Sequence, residues 1–201
     1  MRKLALLVPV FALLFLVQFA SAQQGDAMFG GGTIMSSGSC DPNTGICPEK
    51  GGFYPSVSAD IVFHKRVGFQ FETAWRASQA TYGGPLGQPF RPILTDFNAL
   101  YQPRVTKKVG LDLMGGIGWQ STRFYGINGS FSCQEFGSCF VSSHHFLIDA
   151  GGGIRYYVWG HFFVRPEIHY YWVNNNTNDF SSNNLFRAGA SIGYTIGGPF
   201  E

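Results

Sequence analysis

Apolar and polar side chains alternate strictly along several stretches of this sequence, which is the period of a β-strand with two unlike faces. In the clearest stretch, residues 161–173, one set of alternate positions is Phe162, Val164, Pro166, Ile168, Tyr170 and Trp172. Similar stretches lie near 53–63, 67–78, 91–103, 109–120, 144–157 and 185–196, with a weaker one near 26–35. The pattern predicts eight strands, several of them longer than the roughly five or six residues usual in soluble sheets.

The segments between the predicted strands alternate in length. Short polar turns lie near 64–67, 105–109 and 158–161, and long polar loops occupy 36–52, 79–91, 122–143 and 174–184. Up-and-down strands with tight turns at one end and long loops at the other are typical of small membrane barrels, which in bacteria have an even number of strands. The predicted fold is therefore all-β, a closed antiparallel eight-stranded up-and-down transmembrane β-barrel.

The alternation alone leaves open which face points inward. A soluble lipocalin-like barrel would turn the apolar faces toward a ligand cavity. Only 13% of the residues are charged, against about 25% in soluble domains, and no Lys lies within the predicted strands. Aromatic residues that would form interfacial girdles end several strands: Trp75, Trp119 and Trp172 at long loops and Trp159 at a turn. These features favour apolar faces that contact lipid.

The N-terminus carries the pattern of a secretory signal. Arg2 and Lys3 precede an apolar run at residues 4–17, and the small residues Ala20, Ser21 and Ala22 follow. This order predicts a signal peptide over 1–22, with cleavage after Ala22, and a single barrel domain over 23–201. The alternative is an uncleaved anchor, but the run is shorter than the roughly 20 residues that a spanning helix needs.

The four cysteines fit an exported protein. Cys40 lies near Cys47 and Cys133 near Cys139, each pair within a predicted long loop. An even number of cysteines in an exported chain predicts disulfides. A metal site of Cys133, Cys139, His144 and His145 is the alternative, but the cysteine spacing is wider than the usual zinc pattern. We therefore expect two loop disulfides, no metal and no cofactor.

From residue 26 onward the chain resembles the small eight-stranded bacterial outer-membrane barrels, the family that includes the transmembrane domain of outer membrane protein A. The resemblance rests on the leader, the strand number, the loop alternation and the closing segment 187–196. It implies a location in the bacterial outer membrane, contact with outer-membrane lipid, and help from periplasmic chaperones and the barrel-insertion machinery. Family members usually end in an aromatic residue, whereas here Glu201 follows Phe200.

Ionisable residues recur on the predicted inward faces. An eight-stranded interior is only wide enough for side chains to fill it, so these charges are expected to form a salt-bridge network that closes the lumen. The alternative is a narrow channel for ions or small solutes. The predicted network consists of Asp60, Glu72, Arg76, Asp96, Arg104, Asp112, Asp149, Arg155, Arg165, Glu167, His169 and Arg187.

Enzymatic and nucleic-acid functions find little support. His169 stands in a segment that faintly resembles the His-x-Ser motif of lipid A deacylases, but Tyr171 occupies the serine position. His144 and His145 follow Ser142 and Ser143 without an obvious orienting carboxylate, so no catalytic residue is predicted. No long basic run provides an electrostatic surface for nucleic acid.

The loop at 122–143 is the candidate interaction surface. Its aromatic residues either bind a partner at the cell surface or pack on each other to form a small loop core. They are Phe124, Tyr125, Phe131, Phe136 and Phe140. The predicted function is an integral outer-membrane barrel with a structural, anchoring or surface-interaction role. A soluble ligand carrier and a lipid-modifying enzyme are the less favoured alternatives.

Overall fold

The structure is a computed structural model that describes residues 24–42, 45–63, 66–81, 87–126 and 140–197. The predicted signal peptide, the Cys133–Cys139 pair, Phe131 and Phe136 lie outside these residues. The strands are β1 Gln24–Ser36, β2 Tyr54–Val62, β3 Val67–Trp75, β4 Ala80–Thr81, β5 Pro89–Tyr101, β6 Val109–Tyr125, β7 Phe140–Trp159, β8 Phe162–Val173 and β9 Asn184–Gly197. Within the described ranges, no helix has the length and apolar character needed to cross a membrane.

Antiparallel pairing between neighbouring strands closes the sheet into a ring. β1 pairs with β9 from Gln24↔Gly197 to Ser36↔Leu185, which joins the first strand to the last. β3 pairs directly with β5, so the two-residue β4 is not one of the eight strands of the ring. It pairs with the first two residues of β5, beyond the end of β3. The predicted closed eight-stranded up-and-down barrel is confirmed.

Two strands extend further than the sequence pattern predicts. β6 and β7 remain paired as far as Tyr125↔Phe140, so both ends of the predicted loop 122–143 are strand. The predicted loop 79–91 is likewise wrong at its edges, because β4 lies within it and β5 begins at Pro89. Aromatic and β-branched residues at these ends, such as Phe124 and Val141, favour cross-strand packing over loop structure.

The apolar faces point outward. Phe69 on β3 and Ile192 on β9 are 63% and 64% exposed, whereas acidic residues such as Glu72 and arginines such as Arg165 are buried in the interior. This orientation is the reverse of the soluble, ligand-enclosing alternative. Trp75, Trp119 and Trp172 lie toward the long-loop end of the outer wall, and Trp159, 80% exposed, lies at the short turn between β7 and β8. We call these ends the outer end and the turn end.

Candidate functional site: the barrel interior and its outer mouth

Arg155 lies among three carboxylates at the turn end of the interior. Its guanidinium pairs with Asp26 and lies 3.1 Å from Asp60 and 3.0 Å from Asp112. The same group sits 4.0 Å from the centroid of the Phe163 ring. Because these carboxylates come from β1, β2 and β6, a single side chain ties four strands of the wall together.

Arg165 and Arg187 link the middle of the interior. Arg165 lies 2.7 Å from Glu167, 3.2 Å from Asp112 and 3.6 Å from Asp60. Arg187 pairs with Glu72 across the barrel and lies 3.3 Å from Glu167. Glu167 therefore bridges two guanidinium groups, whose planar forks suit several carboxylates at once.

His169 carries the network toward the outer end. Its Nδ1 lies 3.0 Å from the Asp149 carboxylate, and its ring stacks on Tyr171 with centroids 5.7 Å apart. The Asn98 amide donates to Asp96 at 2.7 Å and to Asp149 at 2.9 Å. The polar network thus ends beneath an apolar layer of fully buried side chains: Ile34, Tyr54, Leu94, Leu147, Tyr171, Val173 and Leu185.

Inward-facing glycines on β7 leave the space that these long side chains occupy. A Cβ at Gly151 would lie 2.8 Å from Nδ1 of His169, and one at Gly153 would lie 3.0 Å from Cγ of Arg165. The run Gly151–Gly153 in the sequence therefore has a packing reason. Small residues on one wall make room for the large cations of the next strand.

Two arginines of the predicted network lie elsewhere. Arg76 is half-buried at the outer end, where it donates to the Gly51 carbonyl at 2.9 Å and lies over the Tyr54 ring. Arg104 lies in the connection between β5 and β6 and forms a bridge with Gly110. Arg76 directly follows β3 and Arg104 lies three residues past the end of β5, where alternation no longer directs a side chain into the interior. Asp26, in the weakly patterned first strand, is an interior acid that the predicted set lacks.

One buried trio has the composition of a metal site. Ligand atoms of Glu72, Glu167 and His169 lie within 4.8 Å of one another. Arg187 already pairs with both carboxylates. A guanidinium therefore occupies the position where a cation would bind, and the charge arrangement does not fit a metal ion.

A serine, a histidine and an aspartate meet near the outer mouth. Ser143 Oγ lies 2.9 Å from His145 Nε2, and the same nitrogen lies 2.8 Å from Asp179 Oδ2. Sequence reasoning missed Asp179 because it comes from the connection between β8 and β9. A nucleophile–base relay needs both ring nitrogens, one for the serine and the other for the carboxylate. Here Ser143 and Asp179 both contact Nε2, so the three residues do not form such a relay.

The long-loop segment after β1 covers the outer mouth. The predicted Cys40–Cys47 disulfide is present, and Glu49 beyond it is fully buried. The Tyr54 hydroxyl donates to one Glu49 oxygen at 3.0 Å, and the Gln120 amide donates to the other at 3.0 Å. No alternation signal marks Glu49, because it lies in a loop that folds back over the barrel.

Burial raises the pKa of Glu49 to about 7, against the opposing effects of the Tyr54 hydroxyl and the Arg76 guanidinium. The folded state therefore retains the Glu49 proton at a pH where the unfolded chain has released it. Between about pH 4.5 and pH 7 the stability contribution of this contact falls as pH rises, and above pH 7 it levels off. We expect amide hydrogen exchange of residues 45–51, corrected for intrinsic rates, to be slower at pH 5 than at pH 8.

Glu49→Gln should remove that pH dependence, because the amide keeps the size of the side chain without the charge. Lys50→Gln provides a neighbouring exposed control. An unchanged dependence in Glu49→Gln would show that another group controls the loop.

The described aromatic residues of the candidate interaction loop pack within the hairpin of β6 and β7 and against its neighbours. Phe124 lies 6.3 Å from Phe180, and Phe180 lies 5.0 Å from Phe90. Tyr125 and Phe140 lie 5.9 Å apart across the strand pair. These contacts favour the small-core alternative for Phe124 and leave Tyr125 and Phe140 half-exposed.

No protein-family model matches the sequence, and no curated protein matches it. Solved structures do match. Neisserial surface protein A superposes with a TM-score of 0.57 at 15% identity over 85% of this chain and 95% of its own. Ail of Yersinia pestis, solved with the heparin analogue sucrose octasulfate, gives 0.54 at 11% identity over 88% of this chain and 99% of its own.

The outer membrane protein OprG of Pseudomonas aeruginosa gives a TM-score of 0.54 at 13% identity, over 88% of this chain and 97% of its own. The chain has the fold of the small outer-membrane β-barrels. The resemblance seen in the sequence is thereby confirmed for the architecture. At these identities the likeness concerns the fold, and function has to be argued from the residues of this chain.

Proposed function

We propose that this protein is an integral barrel of the bacterial outer membrane with a closed interior and a structural, anchoring or surface-interaction role at the outer end. The observation that carries the proposal is the inversion of the barrel: an exposed apolar wall surrounds a buried network of charges. In water such a wall would aggregate, whereas in a bilayer it is solvated by lipid. On this proposal the partners are outer-membrane lipid and, during biogenesis, periplasmic chaperones and the barrel-insertion machinery.

Two layers of the interior support a closed lumen. The arginine network crosses the middle of the barrel, and the apolar layer around Leu94, Leu147 and Leu185 lies above it. Glu49 and its partners cover the mouth. A conducting path would have to pass this layer, in which the five aliphatic side chains offer an ion no polar ligand, at a high desolvation cost.

The refolded protein should therefore be electrically silent in planar bilayers at both polarities, while a general porin in the same bilayer gives unitary steps. Folding is checked first by the shift in gel migration on heating that a detergent-stable barrel shows. Unitary steps that change with Glu72→Gln, but not with Lys108→Gln at a turn, would contradict the closed lumen and favour a narrow channel.

The outer end supports the surface role. β6 and β7 continue six residues past Trp119 on β6, about 20 Å of paired strand at the usual rise. The similar barrel Ail, the attachment invasion locus protein of Yersinia pestis, was solved in complex with a heparin analogue, which supports a surface-interaction role for a barrel of this fold. A non-enzymatic role is supported by the contacts of His145. Ser143 and Asp179 both contact its Nε2 atom, so the ring does not link a serine to a carboxylate through its two nitrogens.

A further inference from the structure

Two arginines lie directly opposite each other on the outer wall. Arg91 of β5 pairs with Arg123 of β6, and both side chains are half-buried. Their strand positions share the face of Ile93 and Ser121, which points away from the interior. Like charges directly opposite on neighbouring strands are destabilising. The pair therefore needs a compensating anion.

The protein itself supplies no such anion among the described residues. Arg91 Nε donates to the backbone carbonyl of Arg76 at 2.6 Å, and the Arg123 guanidinium lies 4.8 Å from the Phe140 ring centroid. Neither has a carboxylate partner in the described chain, in contrast to Arg155, Arg165 and Arg187 of the interior. The contacts orient the two side chains and leave their terminal nitrogens available.

The pair stands at the level where lipid headgroups begin. Trp119 lies opposite Thr95, and Arg123 follows four residues later on the same outward face, about 13 Å further along the strand. Ser142 lies opposite Arg123, and the exposed His144 lies opposite Ser121. A hydroxyl and an imidazole thus flank the two guanidinium groups on the same face.

We propose that Arg91 and Arg123 bind a phosphate group of a glycolipid in the outer leaflet. Two guanidinium groups provide paired donors that match the oxygens of a phosphate, and one anion between them removes their mutual repulsion. The two side chains lie on the outer wall, which faces the surrounding membrane. This position favours a lipid over a soluble polyanion, because a soluble ligand would approach from above the loops. The inference rests on the proposed outer-membrane location.

The test measures lipid binding to the full-length mature barrel folded in a maltoside detergent, which carries no phosphate. Bisphosphorylated lipid A is titrated, and complexes are counted by native mass spectrometry. R91Q/R123Q should weaken binding by about tenfold or more, and R91K/R123K should fall between because ammonium groups bind phosphate as point charges. K107Q/K108Q removes the same charge from the turn between β5 and β6, at the turn end of the barrel, and should leave binding unchanged.

Dephosphorylated lipid A should bind the wild type and all variants equally weakly. The gel shift on heating establishes that each variant is folded; R123Q alone, whose described contact is one ring, serves if the double variant does not fold. Equal binding of bisphosphorylated lipid A to the wild type and R91Q/R123Q would overturn the proposal. Two parallel titrations use inorganic phosphate and heparin as soluble probes. The proposal would also be overturned if the pair bound inorganic phosphate tightly, or if R91Q/R123Q lost binding of heparin but not of bisphosphorylated lipid A. Failure of the wild type to form a heat-modifiable barrel would refute the proposed function instead.

Discussion

Replacing Arg165 with methionine should lower the free energy of unfolding by about 3–5 kcal/mol, the usual cost of removing one partner from a buried ionic network. The Arg165 guanidinium is fully buried and lies within 4 Å of four carboxylates: Asp60, Glu72, Asp112 and Glu167. Methionine fills much of the space but leaves these acids facing one another without their central cation. Denaturant titration of the barrel in lipid vesicles, followed by tryptophan fluorescence, measures the loss.

Arg123→Met is the matched control, since it removes the same side chain from the outer wall and should change stability by less than about 1 kcal/mol. Adding Glu167→Gln to Arg165→Met should recover part of the loss, because Glu167 is the nearest of the four acids. A loss in Arg165→Met no larger than in Arg123→Met would mean that the interior network contributes little to stability.

Gly116→Ala should destabilise the barrel by about 3 kcal/mol, at the upper end of the range for overpacking. A Cβ built on Gly116 would lie 2.0 Å from the Phe97 carbonyl oxygen and 2.7 Å from Cα of Asn98. Both obstacles are backbone atoms of β5, so no side-chain rotation relieves the clash. The strands would have to separate at the point where Asn98 bonds Asp96 and Asp149.

The neighbouring Gly115→Ala is the control on the same strand. Its Cβ would point to the outer wall and lie 3.8 Å from the Asp149 carbonyl oxygen, which is an ordinary contact. Folding yield and midpoint in denaturant should therefore separate the two variants clearly. Similar values for Gly115→Ala and Gly116→Ala would show that the wall relaxes more easily than its packing suggests.

The sequence by itself determined the architecture and the contents of the interior. Strands have a period of two, so the alternation in residues 161–173 put Ile168 and His169 on opposite faces. The lack of Lys in the strands and the tryptophans at the strand ends then favoured Ile168 on the wall and His169 in the interior. The same logic placed Asp60, Glu72, Asp96, Asp112, Asp149, Arg155, Arg165, Glu167 and Arg187 on inward faces, where the structure has them buried. It does not extend to Arg76 and Arg104, which lie past strand ends, where the period no longer applies.

Only the tertiary structure decided which groups meet. The pairing of Arg187 with Glu72 joins residues 115 positions apart and depends on barrel closure and register, which no local pattern encodes. Asp179 beside His145, and Glu49 beneath the mouth, are placed by loops that carry no period. The opposition of Arg91 and Arg123 likewise follows from the register of β5 against β6, because side chains face each other across a sheet only once the strands are aligned.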